Sequence, residues 1–412
     1  MRRAATAPWL SRRAGVLLSC LVVATFLPSE LRDDVANASR CAHRHWVGAW
    51  GASPSDAGGV ELANQTIRMV IAPHVGGRVL RVRLTNRLGT DPATLMGVRI
   101  ARQTEDASIA ARSSRRVLFG GRGRITIPAG QEAFSDPVRM RFRPFRPLAI
   151  SAYVPGVVSA ATRHRTAMQT SYLTRAGAGN HASDVNGAAF DFRVTSWLLV
   201  DGLDVSTKRR LGSVVAFGDS ITDGLRSGID TNRRYPDYLA RRLLRRPGAP
   251  PLTVLNAGIA GNELLASGYF PFGPSGLSRA RADVIGQAGV SDVILLEGLN
   301  DLSGSSAREV ISGLRRLIHR LRRHGLHVLL GTLTPSGSAG RTWRRHERVN
   351  RWIREHRRSR VVDFARAVRS PRSPRRLARR YDSGDHLHPN ASGYRAMAAA
   401  IDLRRLDGST CG

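Results

Sequence analysis

The chain has 412 residues, long enough for two domains of roughly 100–200 residues each. A hydrophobic fraction of 42% supplies an ordinary globular core and excludes a disordered or fibrous chain. The formal charge of +33 is carried almost wholly by arginine, with Lys208 the single lysine. These arginines are spread from end to end, without one basic patch and interleaved aromatics, which excludes nucleic acid as the expected partner. Anionic walls or polysaccharides fit this charge better.

At the N-terminus, Arg2, Arg3, Arg12 and Arg13 precede an apolar run over 14–27, broken by Pro28. A charged segment followed by an apolar run too short to span a bilayer comfortably reads as an export signal. Ala36-Asn37-Ala38 offers a small-x-small cleavage site, so the signal peptide is expected over 1–38 and the mature protein outside the cell. An uncleaved N-terminal anchor is the alternative. Cleavage removes Cys20 and leaves Cys41 and Cys411, which could form a disulfide tying the termini together in an oxidising compartment. Two idle thiols are the other reading. No CxxC or Cys/His cluster has zinc spacing, so no metal is expected.

From His45 to about residue 207, short runs alternate with Gly, Pro, Asn and Asp. In Val79-Leu80-Arg81-Val82-Arg83-Leu84, the residues Leu80, Val82 and Leu84 share one face, with Arg81 and Arg83 on the other. The same period of two recurs in 124–127 and 138–143, and 148–154 and 194–200 also read as strands. Several short strands separated by turns predict a β-sandwich-like domain over 45–207, with the alternating arginines on its wet face.

After Lys208-Arg209-Arg210 the pattern changes. Compact apolar runs at 213–217, 252–255, 292–296, 327–330 and 361–364 alternate with helical stretches at 235–244, 307–323, 343–357 and 391–401. Strands alternating with helices predict a parallel sheet covered on both faces, an α/β domain over 211–405. In such sheets the functional groups gather at the carboxyl ends of the strands. The stretch 366–380, rich in Arg, Pro and Ser, reads as an exposed loop.

Three short motifs fall at those ends and a fourth in the loop after the last strand. The first strand runs into Phe217-Gly218-Asp219-Ser220-Ile221-Thr222-Asp223-Gly224, which places Ser220 where a helix begins. A serine hydroxyl needs a base to become a nucleophile; a helix cap is the bland alternative for Ser220. The second strand ends in Asn256-Ala257-Gly258-Ile259-Ala260-Gly261-Asn262, where Gly261 presents a backbone N–H suited to an oxyanion, or simply makes a turn. The third ends in Glu297-Gly298-Leu299-Asn300-Asp301, where the Asn300 amide can donate to the same oxyanion or cap the next helix, and Asp301 is read as structural. Last comes Asp382-Ser383-Gly384-Asp385-His386-Leu387-His388-Pro389, in which an Asp and a His three residues apart can pair as orienting acid and base. Two histidines and two aspartates leave the pairing open on spacing alone.

Together these blocks resemble the SGNH hydrolase superfamily, also called GDSL esterases and lipases, over residues 213 to about 401. The resemblance is carried by Gly218-Asp219-Ser220, the Gly261 turn, Gly298-Leu299-Asn300-Asp301 and Asp385-His386-Leu387-His388. It implies a flavodoxin-like three-layer α/β/α fold and a triad of Ser220, His388 and Asp385. The implied oxyanion hole is made by Ser220, Gly261 and Asn300, with no cofactor. His45-Trp46-Val47-Gly48-Ala49-Trp50, Arg81-Val82-Arg83-Leu84-Thr85-Asn86 and Ser135-Asp136-Pro137-Val138 are similar to the β domain that precedes the hydrolase in exported bacterial members. That subgroup resembles arylesterases and acyl hydrolases linked to plant-polysaccharide breakdown. The absence of Gly-x-Ser-x-Gly argues against an α/β-hydrolase elbow.

The function expected is a secreted esterase acting on short-chain acyl or acetyl esters of small molecules or polysaccharides, without stable membrane insertion after processing. An acyltransferase to a sugar hydroxyl and a non-catalytic glycan-binding protein are the alternatives. The insert 266–276, with Tyr269, Phe270 and Phe272, is expected to line the pocket or its rim.

Overall fold

A computed structural model describes residues 43–267, 271–356 and 360–408. The export signal, Cys41, Cys411 and their bridge, and Tyr269 and Phe270, lie outside the described residues.

Residues before about 207 form two antiparallel sheets of five and seven strands joined by a two-stranded ribbon. Their inner faces share one core. Leu80, Val82, Leu84 and Leu203 come from the smaller sheet, and Ile67, Met69, Ile100 and Ile150 from the larger. Alternation in Gly77–Thr85 therefore points where the pattern predicts, but its opposite face is not wet throughout. Arg83 is buried, and its Nε donates to Asp201 Oδ1 at 2.8 Å. The reason is that this face docks onto the α/β region: Arg83 Nη1 reaches Gln287, and Arg87 pairs with Asp283 at 2.7 Å. The Val138–Phe142 strand keeps the expected exposed Arg139 and Arg141. The strand expected over 194–200 is broken into three pieces, ending at Val194, spanning Trp197–Leu198 and restarting at Val200. Leu199 at φ 56° turns the chain between sheets, a left-handed conformation that hydropathy does not register.

The α/β region is built on five parallel strands in the order Leu252–Gly258, Gly212–Gly218, Val290–Leu296, His327–Gly331, Arg360–Val362. This 2-1-3-4-5 order is the flavodoxin-like doubly wound arrangement. The Gly212–Gly218 strand, second in that order and flanked on both sides, is wholly buried, as its Ser-Val-Val-Ala-Phe composition demands. The helix Tyr235–Arg245 packs against Ala391–Ala400, and Ala307–Arg323 against Gly340–Glu355.

The Ala307–Arg323 helix shows how sequence sets such an element. Ser306 Oγ accepts from the Glu309 N–H while Glu309 Oε2 accepts from the Ser306 N–H, a reciprocal cap. Val310, Leu314, Leu317, Ile318 and Leu321 then recur every three or four residues and are buried against the sheet. The run at 361–364 is shorter as a strand than its apolarity suggests. Asp363 caps a new helix, Phe364–Val368, so the expected loop over 366–380 begins helical.

Candidate active site

Ser220 is the first residue of a one-turn helix, Ser220–Asp223, which begins one residue after the Gly212–Gly218 strand. The cap of that helix is Asp219, whose Oδ1 accepts the Ile221 N–H at 2.9 Å. Ser220 is thus released from the capping role. Gly218 is needed for this turn, since a β-carbon there would stand 2.2 Å from the Leu296 carbonyl and 2.3 Å from Thr222 Oγ1.

Ser220 Oγ lies 2.9 Å from His388 Nε2, and His388 Nδ1 lies 2.8 Å from Asp385 Oδ2. Because Nδ1 faces a carboxylate it carries the proton, which leaves Nε2 as the acceptor for the serine hydroxyl. Asp385 Oδ1 is held by the backbone N–H groups of Leu387 and His388, at 3.0 and 2.8 Å. Partial burial would raise its carboxyl. Those N–H groups and the His388 ring overcome it and hold the group well below the usual carboxylate range. The second pair of the loop, Asp382 and His386, forms its own contact at 2.7 Å, with the His386 ring exposed. Spacing left the two pairs indistinguishable; the structure brings only His388 to Ser220.

The two other predicted donors follow the two strands that flank Gly212–Gly218. Gly261, at φ 77°, follows the Leu252–Gly258 strand. Asn300 opens a short helical turn, and its Nδ2 donates one hydrogen to the Asn262 carbonyl at 2.8 Å. An amide has two such hydrogens, so one remains for a substrate oxygen. Asp301 accepts the Leu264 and Leu265 N–H groups, each at 2.9 Å, and so braces the loop beyond Gly261. Phe272, from the insert 266–276, is half-exposed and packs beside Gly261.

Sequence reasoning missed the scaffold beneath these groups. Arg279 is fully buried over the Phe217 ring. It donates to the carbonyls of Gly218 and Ala257, each at 2.8 Å, and to Asn262 Oδ1 at 2.8 Å. Asp283 and Glu297 lie 3.1 and 3.5 Å from it. Asn262 in turn donates to the Phe272 and Pro274 carbonyls. One guanidinium therefore ties the strand that leads to Ser220 to the Gly261 turn. Nothing local marks Arg279 among so many arginines, whereas Asn262 closes the glycine-rich motif over 256–262. Burial pushes Asp219 up to about 7 and Glu297 well above its ordinary value, each reinforced by neighbouring carboxylates.

Residues 216–396 match the model of the GDSL-like lipase/acylhydrolase family. They form a GDSL-like hydrolase domain. No curated protein matches the chain. Among solved structures, the chain is similar to a lipase/acylhydrolase from Enterococcus faecalis, at 22% identity and TM-score 0.36, covering 47% of this chain and 94% of that one. It is similar also to a member of the lipolytic G-D-S-L family from Veillonella parvula, at 21% identity and TM-score 0.36, covering 46% and 95%. A carbohydrate acetylesterase from Sinorhizobium meliloti matches at 15% identity and TM-score 0.38, covering 46% and 95%. In all three the matched share of this chain is under half, while the β region has no counterpart in the family match.

Proposed function

We propose that the protein is an exported serine esterase that hydrolyses short-chain acyl or acetyl esters. The observation that carries this reading is the relay from Ser220 Oγ through His388 to Asp385, at 2.9 and 2.8 Å, on a GDSL-like hydrolase domain. His388 takes the Ser220 proton as the hydroxyl attacks the ester carbonyl. The backbone N–H groups of Ser220 and Gly261 and the Asn300 amide receive the oxyanion. His388 then protonates the departing alcohol, an acyl-serine forms, and water repeats the sequence to release the acid. Asp385 keeps the imidazole in the productive tautomer and offsets its transient charge.

Export rests on the arginine-flanked apolar run at 14–27. Among the described residues no helix is long and apolar enough to cross a membrane. Phe272, half-exposed beside Gly261, supplies an apolar surface next to the proposed oxyanion hole. The test is hydrolysis of a p-nitrophenyl ester series, acetate through palmitate, by wild type and Ser220→Ala. Wild type should prefer the short esters, and the variant should lose about 10⁴–10⁶ in kcat. Equal activity in the two proteins would rule out Ser220 as the nucleophile.

A further inference from the structure

The turn that carries Gly261 is tethered, through one carboxylate, to the other half of the chain. Asp223 ends the nucleophile's helix and is buried. Its Oδ2 accepts the backbone N–H of Ala260 at 2.9 Å, and Ala260 directly precedes Gly261. Its Oδ1 faces His164 Nε2 at 3.0 Å. His164 belongs to the β region, in the two-residue strand Arg163–His164. The other ring nitrogen, Nδ1, faces the Ser53 carbonyl at 2.8 Å.

Both nitrogens of His164 thus meet oxygen acceptors, and both are satisfied only when both carry protons. Burial opposes a charged ring. The Asp223 carboxylate and the Ser53 carbonyl outweigh it, against a smaller opposing effect from Arg234, and the pKa rises above its ordinary value. The ring is held in place by Trp197, 5.3 Å away between centroids, itself fixed by donation from Nε1 to the Val70 carbonyl at 2.7 Å.

We infer that His164 is a positioning residue for the oxyanion hole: through Asp223 it fixes the Ala260–Gly261 turn, which makes the N-terminal β region part of the catalytic apparatus. The inference rests on the esterase reading above. A buried carboxylate that loses the donor on one of its oxygens turns away or finds another donor. Either change alters what it accepts from Ala260. The Gly261 N–H matters chiefly when the oxyanion forms, so the loss falls on kcat and leaves ester binding nearly intact.

The experiment measures kcat and KM of the full chain for p-nitrophenyl acetate, with melting temperature alongside, in wild type, Ser220→Ala, His164→Leu, His164→Gln and Asp223→Asn. His164→Leu should lower kcat by about ten- to a hundredfold with KM within about twofold. His164→Gln, whose amide can still donate to Asp223, should return to within about threefold of wild type. A folded His164→Leu with wild-type kcat overturns the inference. So does His164→Gln failing as badly as His164→Leu, which is what a purely structural role predicts. If His164→Leu does not fold, Asp223→Asn decides, and wild-type kcat in it overturns the inference. A wild type without Ser220-dependent activity defeats the esterase reading itself and this inference with it, whereas an active wild type indifferent to His164 defeats this inference alone.

Discussion

Phe272 lies so close to Gly261 that a β-carbon on the glycine would stand 2.2 Å from the ring's Cδ1. Two separate constraints therefore hold that position to glycine, the ring and the backbone at φ 77°. Gly261→Ala should lower kcat for p-nitrophenyl acetate by about 10²-fold, since a misplaced oxyanion donor costs that much. Pairing it with Phe272→Ala removes the clash and leaves the left-handed backbone, so the double variant should regain only part of the rate. Full recovery would mean that the ring alone sets the constraint.

Asp385→Asn keeps the shape of the loop but can present an amide N–H to His388 Nδ1, favouring the wrong tautomer. Asp385 is partly open to water, which can substitute for some of its contacts. Its kcat should fall by about 10²–10⁴, with KM little changed. The steady-state kinetics of the purified variant check this, and a loss under tenfold would show that His388 is oriented without Asp385.

Arg279→Lys should destabilise the protein severely. Lysine cannot reproduce a fork that serves two carbonyls, an amide oxygen and two carboxylates. Leaving those groups buried and partly unpaired costs about 3–5 kcal/mol. Urea denaturation monitored by tryptophan fluorescence gives the number directly.

Two buried aspartates should give stability opposite pH dependences. Asp237, which burial alone would raise, is held at about 2 by Arg234 and then by His74. Its contribution is full above the unfolded carboxylate value near pH 4 and is lost as pH falls toward about 2. Asp219, pushed up to about 7 by burial, binds its proton more tightly folded than unfolded. Its effect favours the fold below about pH 4 and is lost as pH rises through about 7. Melting temperatures from pH 2 to 8 should show a shallower decline below about pH 4 in Asp237→Asn, and a shallower decline between about pH 4 and 7 in Asp219→Asn, than in wild type.

The parallel sheet and the order of its motifs were legible because their signals are local. A run such as Val214-Val215-Ala216-Phe217 can only be a buried strand when Gly218-Asp219-Ser220 turns it straight into a helix. The links between the two halves were not legible. His164 and Asp223 are 59 residues apart, and nothing in Arg163-His164-Arg165 announces a partner. Arg83 was misplaced for the same reason. A period of two says which side a residue faces, and the covering of that side by Gln287 and Asp283 is a tertiary fact.

His74 has a consequence for how the molecules meet one another. A parallel sheet ends in strands whose outer backbone groups can recruit a strand from a neighbour and begin aggregation. At one edge of this sheet the Val254 carbonyl is taken by His74 Nδ1 at 2.7 Å, while Gly48 packs against Leu255. At the other, the Val361 carbonyl is taken by Arg405 at 3.2 Å, on a strand of three residues. At each margin a side chain thus takes a carbonyl that a foreign strand would need, which makes the parallel sheet harder to extend there.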